Sequence, residues 1–358
     1  MIETTRRSLL AGMAALPFVP GVALGQAQGQ GMMGAKPRPS LLWTAIGGIK
    51  RFDSELDALI DAGSAPQIVA EGFKWAEGPV WGRVPQRGGL LFSDVPANIA
   101  YRLIPGSRAE RFLVPSGLAG PIPPGIREAG SNGLVFDAKG ALLMADSGTR
   151  AIARVDMTTK QKSIVVDRFE GKKFNSCNDL VIGRNGIIYF TDPPYGLTEG
   201  DSSPLKELGF NGVYRVNPDG SGVSLIDKSL KRPNGIGLSP GFDRLYVSQS
   251  DPDAARIYTC ELAADGSAMT ELVPFVDFSA EVAQKLPGLP DGMKVAKSGH
   301  LFASGPGGIW VIAPDGRKLG VIGTGKAAAN CCFGEDGKTL FVTSSDMVVK
   351  VRLKVSGW

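Results

Sequence analysis

Six times along this chain a short apolar run ends in Ser, Thr or Ala, often followed by Asp, and that recurrence restricts the fold more than any other feature. The segments are Leu90-Leu91-Phe92-Ser93-Asp94, Leu142-Leu143-Met144-Ala145-Asp146, Ile188-Tyr189-Phe190-Thr191-Asp192, Leu245-Tyr246-Val247-Ser248, Leu301-Phe302-Ala303-Ser304 and Leu340-Phe341-Val342-Thr343. Each is too short for a helix of its own and reads as a buried strand. About ten residues ahead of each stands a polar residue opening another apolar run: Glu77-Gly78, Asn132-Gly133, Asn178-Asp179, Asn234-Gly235, Asp291-Gly292 and Asn330-Cys331. Turns such as Pro218-Asp219-Gly220 and Pro314-Asp315-Gly316 punctuate the units.

One full unit can be read in residues 132–166, where Leu134–Phe136, Leu142–Met144, Ile152–Val155 and Ile164–Val166 form four strands in one period. Four antiparallel strands repeated six times is an all-β, six-bladed β-propeller. The sixth unit has three strands and ends at Val348–Leu353, while Gln67-Ile68-Val69 stands unpaired ahead of the first. The N-terminal strand is therefore expected to complete the last blade and close the ring. Phe52, Leu56, Leu59 and Ile60 keep helical spacing, which predicts a short helix over 51–61 packed outside it.

Ahead of the repeats, Thr4-Thr5-Arg6-Arg7-Ser8-Leu9-Leu10 opens an apolar stretch to Leu24, with small residues at Ala23-Leu24-Gly25. This reads as a signal peptide over 1–25, and the paired arginines point to the twin-arginine export machinery and the periplasm. Arg6-Arg7 also fits an ordinary Sec leader. Residues 26–40, rich in Gln, Gly and Pro, read as a flexible lead-in, leaving 41–358 as a single propeller domain. The leader is short and broken by Pro17 and Pro20, so no membrane span is expected.

A formal charge of +4 over 358 residues, with no Lys or Arg run longer than a pair, argues against a nucleic-acid surface and leaves a small molecule as the default partner. The four cysteines lack CxxC spacing and read as buried free thiols, with one long-range bridge as the alternative. His300, the single histidine, falls on a turn and reads as a surface residue. No Gly-x-Ser-x-Gly elbow or phosphate-cradling glycine loop occurs.

In a propeller the innermost strand of each blade starts near the axis, so Glu77, Asn132, Asn178, Asn234, Asp291 and Asn330 should form one ring. Asn-Gly and Asp-Gly pairs are common turn formers. Six of them opening buried strands would leave dry carboxyl and amide groups, unless these serve water or an ion. Two carboxylates and four amides, without imidazole or thiolate, suit one divalent metal, Ca²⁺ first, with Zn²⁺ or Mn²⁺ as alternatives. Three long irregular stretches, 115–130, 193–210 and 279–290, should form the mouth of that site.

Trp75-Ala76-Glu77-Gly78-Pro79-Val80-Trp81, Asn178-Asp179, Thr191-Asp192-Pro193-Pro194-Tyr195-Gly196, Arg232-Pro233-Asn234-Gly235 and Leu289-Pro290-Asp291-Gly292-Met293 together resemble the gluconolactonase and senescence marker protein (regucalcin) family. The resemblance covers residues 50–353 and implies a six-bladed propeller with one divalent metal in its channel, hydrolysing a sugar lactone. It implies Glu77, Asn234 and Asp291 as metal ligands and Asn178 as both ligand and substrate contact. Asn132 is expected beside the substrate, and Asp291 as the acid/base, with Asp179 as a candidate to share that role. Ser176 stands where animal members carry a substrate-holding arginine. Asp146-Ser147-Gly148 and Trp310 stand where many bacterial members carry histidines, which puts lactone preference in question. The rival expectations are a phosphotriesterase-like hydrolase on the same metal and a non-catalytic, Ca²⁺-stabilised binding propeller.

Overall fold

The computed structural model describes residues 46–61, 63–83 and 88–357; the leader and lead-in, 1–40, lie outside the described residues. Six antiparallel sheets follow one another in chain order, each running from an inner strand outward. Their inner strands are Ala76–Arg83, Ser131–Phe136, Leu180–Ile182, Pro233–Leu238, Met293–Val295 and Ala328–Gly334, for blades 1 to 6. Each inner strand abuts the next, and the sixth abuts the first, so the ring is closed. All six repeated apolar segments are the second strands of their blades, and Leu142–Asp146, Ile188–Asp192, Leu301–Gly305 and Thr339–Ser344 are buried along their whole length. Both faces of a second strand meet protein, which explains continuous apolar runs in place of alternation.

The closing strand falls where the incomplete sixth unit requires it. Gln67–Glu71 pairs antiparallel with Met347–Arg352, in the register Gln67 to Lys350 and Ile68 to Val349. Side chains seal the same seam: Trp81 of blade 1 stacks on Phe341 of blade 6 with ring centroids 5.3 Å apart. Such an aromatic pair contributes about 0.5–1.5 kcal/mol beyond the area it buries. The core lies between blades, as where Phe92 and Tyr101 meet Cys332, Phe341 and Val348. All four cysteines are buried and free.

Two features upstream of the ring depart from expectation. Gly48–Arg51 forms a strand that pairs with Lys318–Gly323, so blade 5 has five strands. Because the backbone is extended as far as Arg51, no helix can occupy 51–61. Helical structure is confined to a 3-10 turn, Ser54–Ala58, whose cap Asp53 accepts a hydrogen bond from Glu55 N–H. Leu56, Leu59 and Ile60 still bury against blades 5 and 6. Phe52 instead lies flat on Trp310, centroids 5.5 Å apart. Among the described residues no helix is long and apolar enough to cross a membrane.

Candidate functional site

The Ser/Thr and Asp that end the second strands act on the ring residues through the backbone. Ser93 Oγ donates to the carbonyl of Asn132 on the next blade at 2.8 Å, Ser248 Oγ to that of Asp291 at 2.7 Å, and Thr191 Oγ1 to that of Asn234. The Asp one residue on holds the approach to its own blade's inner strand. Asp94 accepts from the N–H groups of Lys74 and Trp75, just ahead of Glu77, and Asp192 from those of Asn175 and Ser176, just ahead of Asn178. Gln249 does the same in blade 4, accepting from Lys231 N–H at 2.8 Å. Asp146 differs, gripping Thr149 N–H of its own turn at 2.9 Å.

The glycines that follow ring residues answer to crowding. A Cβ on Gly78, whose φ is +52°, would lie 1.9 Å from the carbonyl oxygen of Asn132, and one on Gly235 would lie 2.1 Å from that of Asp291. Neighbouring inner strands touch here, so only hydrogen fits. The Asn-Gly and Asp-Gly pairs therefore mark close approach at the axis, and Asn132-Gly133 and Asn234-Gly235 lie inside strands.

Glu77, Asn132, Asn178, Asn234 and Asp291 line one cavity of about 470 Å³. Its mouth takes Arg127 and Glu128 from 115–130, Tyr195 from 193–210, and Gly288 and Leu289 from 279–290. Glu77, 3% exposed, accepts from Gly78 N–H on Oε2 at 2.9 Å. Burial pushes its carboxyl up to about 8, with the Asp179 charge adding to the rise. Part of Asp291 faces the open cavity, yet protein surrounds it. Burial first, then the charges of Glu77 and Asp179, hold it well above the ordinary carboxylate range.

The amide of Asn234 is oriented by its neighbours. Its Nδ2 donates to Ser250 Oγ at 2.8 Å, and Ser250 Oγ donates on to the Pro290 carbonyl. Asn234 Oδ1 is thereby left buried and without a hydrogen-bond partner. A dry amide oxygen and two desolvated carboxylates on one cavity are an all-oxygen donor set short of positive charge. These residues fit a hard divalent cation. Among the described residues no group of three or more His, Cys, Asp or Glu gathers as a metal cluster, so a cation here would need amide oxygens as well.

Several expectations change. Asn330 stands behind the ring: it lies outside the lining, donates Nδ2 to Asp179 Oδ2 at 3.3 Å and also supports Glu77. Asp179 sits on that layer too, off the cavity lining, with its Oδ1 accepting from Leu180 N–H at 2.9 Å. Ser147 and Trp310 also lie off the cavity; Ser147 Oγ donates to the Cys177 carbonyl and Trp310 Nε1 to that of Pro306. Ser176 Oγ donates to the Pro193 carbonyl and accepts from Gly196 N–H, so it fixes the loop that carries Tyr195. His300 is buried, its Nδ1 2.9 Å from Ser298 Oγ and its Nε2 2.9 Å from Glu55 Oε1. The turn that bears it is covered by the 3-10 segment, a contact between residues far apart in the chain.

The loops bring Arg127, Glu128 and Tyr195 to the lining. Tyr195 is anchored within a recognisable motif, and its buried hydroxyl faces Ser250 and Asn234 without a well-formed hydrogen bond to either. Burial raises the phenol above its ordinary value, so it stays protonated and able to donate. Nothing periodic marks Arg127 or Glu128.

Comparison with known proteins agrees with this arrangement. The family described as the SMP-30/gluconolactonase/LRE-like region matches residues 75–346. A gluconolactonase of Zymomonas mobilis is 48% identical over 88% of each chain. The solved structure of a gluconolactonase from Xanthomonas campestris covers 88% of this chain and 99% of its own, at 28% identity and a TM-score of 0.74. A calcium-binding regucalcin from Agrobacterium tumefaciens covers 87% and 96%, with a TM-score of 0.63 at 17% identity, a likeness of fold alone. The inner-strand motifs, the closed ring of six blades and these matches agree: the chain belongs to the SMP-30/gluconolactonase/LRE-like family.

Proposed function

We propose that this protein is a metal-dependent hydrolase that opens a sugar lactone to the hydroxy acid. The observation that carries the reading is the meeting of Glu77, Asn234 and Asp291 on one cavity, with Asn234 Oδ1 buried and unpartnered. The 48% identity to a gluconolactonase supports the substrate class.

Glu77, Asn234 and Asp291 would hold the ion, with Asn178 beside them, and the oxygen-only donor set favours Ca²⁺ over Zn²⁺ while also suiting Mn²⁺. A bound divalent cation supplies Lewis-acid polarisation of a carbonyl. Asp291 is the carboxylate that takes the proton of the attacking water and returns it to the ring oxygen as the ester bond breaks. Tyr195 offers its O–H to the substrate from the rim, and Asn178 and Asn132 present amides to its hydroxyls. Ser250, by orienting Asn234, keeps the amide oxygen turned to the ligand.

The test is to titrate Ca²⁺, Mn²⁺ and Zn²⁺ into chelator-treated protein while assaying aldonolactones and phosphotriesters. Metal-restored lactone opening is the expected result. Turnover of phosphotriesters alone would move the chemistry to phosphorus. Metal binding without turnover of either would make the propeller a binding module.

A further inference from the structure

The wall of the cavity away from the ring residues carries a second polar group, the adjacent Arg127 and Glu128. Their loop is tied to the loop of Tyr195. Arg127 N–H donates to the Gly196 carbonyl at 2.7 Å, Glu128 N–H to the same oxygen at 3.3 Å, and Thr198 N–H to that of Gly125 at 2.9 Å. Ile126 and Leu197 complete an antiparallel bridge. On the other side, Gly130 N–H donates to the Val95 carbonyl at 3.1 Å, and a Cβ on Gly130 would lie 2.5 Å from that oxygen. Glu128 therefore stands on backbone held from two sides, four positions ahead of Asn132.

Its side chain is 20% exposed and that of Arg127 is 53% exposed. Arg127 Nη2 donates to Glu128 Oε1 at 3.2 Å; among the described residues no group donates to Oε2. Burial raises the Glu128 carboxyl to about 7, opposed by the Arg127 charge. The Glu128 charge is in turn felt at Asp291. Above about pH 7 this is a partly buried carboxylate with a free oxygen, fixed on the wall of a cavity whose ring residues would hold the cation that meets the lactone carbonyl, and it is placed to accept hydrogen bonds from hydroxyl groups.

We propose that Glu128 is a specificity-determining residue that accepts hydrogen bonds from ring hydroxyls of the substrate, selecting polyhydroxylated lactones over unsubstituted lactones of equal ring size, with Arg127 as its positioning residue. This rests on the lactonase reading and names the part of the site that recognises hydroxyls. A wall that must satisfy a buried carboxylate discriminates strongly against a substrate lacking the donor.

The experiment compares kcat and KM for glucono-δ-lactone and δ-valerolactone in the metal-loaded wild type, Glu128→Gln and Glu128→Ala. Loss of a hydrogen bond to a charged group predicts a fall of about 10- to 100-fold in kcat/KM on the hydroxylated lactone, chiefly through KM, with δ-valerolactone unchanged. The glutamine variant keeps the side-chain shape, so it carries the test should the alanine variant fail to fold. Loss of both activities in proportion, or of neither, overturns the proposal while the lactonase reading stands. A wild type that opens both lactones equally overturns it too. A wild type that opens neither overturns the lactonase reading and this proposal with it.

Discussion

At Gly235 even a methyl group collides with the backbone of the next blade, at Asp291 and Gly292. Gly235→Ala should cost about 1–3 kcal/mol in chemical denaturation and weaken metal binding, because relief of the clash must shift the Asp291 backbone. Gly48→Ala, where nothing lies within 4 Å, should be close to neutral in the same measurement. Asp291→Asn keeps the size of the side chain and removes the proton acceptor; lactone kcat should fall about 10²- to 10⁴-fold in steady-state assays. Full activity in that variant would remove Asp291 from the chemistry. At this scale the sequence was legible where a residue repeats, and Glu77, Asn132, Asn178, Asn234 and Asp291 all reach the cavity. Asn330 shares the repeat position yet turns its amide to Asp179, a choice made by the neighbouring side chain. Glu128 occurs in one loop only, and its place depends on Gly196, 68 positions away.

Among the elements, the 3-10 segment is held by side chains that local sequence does not reveal. Glu55 accepts from Arg317 Nη2 at 2.7 Å and faces His300 Nε2 at 2.9 Å. The His300 contact first, then Arg317, lowers its carboxyl below the ordinary value of 4.5. With the folded pKa below the unfolded one, this contribution is complete above pH 4.5 and is lost as pH falls through the folded value. Thermal melts from pH 7 downward should therefore show a smaller acid-induced loss in Glu55→Gln than in the wild type. The helical spacing of Leu56, Leu59 and Ile60 was visible in the sequence, whereas Gly48–Arg51 was not. An edge strand of four residues, none of them fully buried, leaves no alternation to read. The second strands were legible because burial on both faces forces them to be apolar throughout, and Gln67–Glu71 because the last unit lacked a strand.

On the scale of the whole ring, the carboxylates at the axis make stability answer to the ion. If Glu77, Asn234 and Asp291 hold it, chelation should lower the unfolding midpoint, and re-addition at a hundred times Kd should restore about 2.7 kcal/mol. Calorimetry with and without Ca²⁺ checks this, and an unchanged midpoint would count against a site at the axis. Six blades could be counted from the chain because each unit is a local pattern; the three stretches of the entrance could be named for want of a period, but not which of their side chains face the cavity. The bridge between Ile126 and Leu197 joins two such stretches into one wall. Loops 115–130 and 193–210 are therefore a single unit for engineering. A graft that replaces one alone must still bring backbone N–H groups to the Gly196 carbonyl, so a wholesale exchange of the entrance is best made with both halves together.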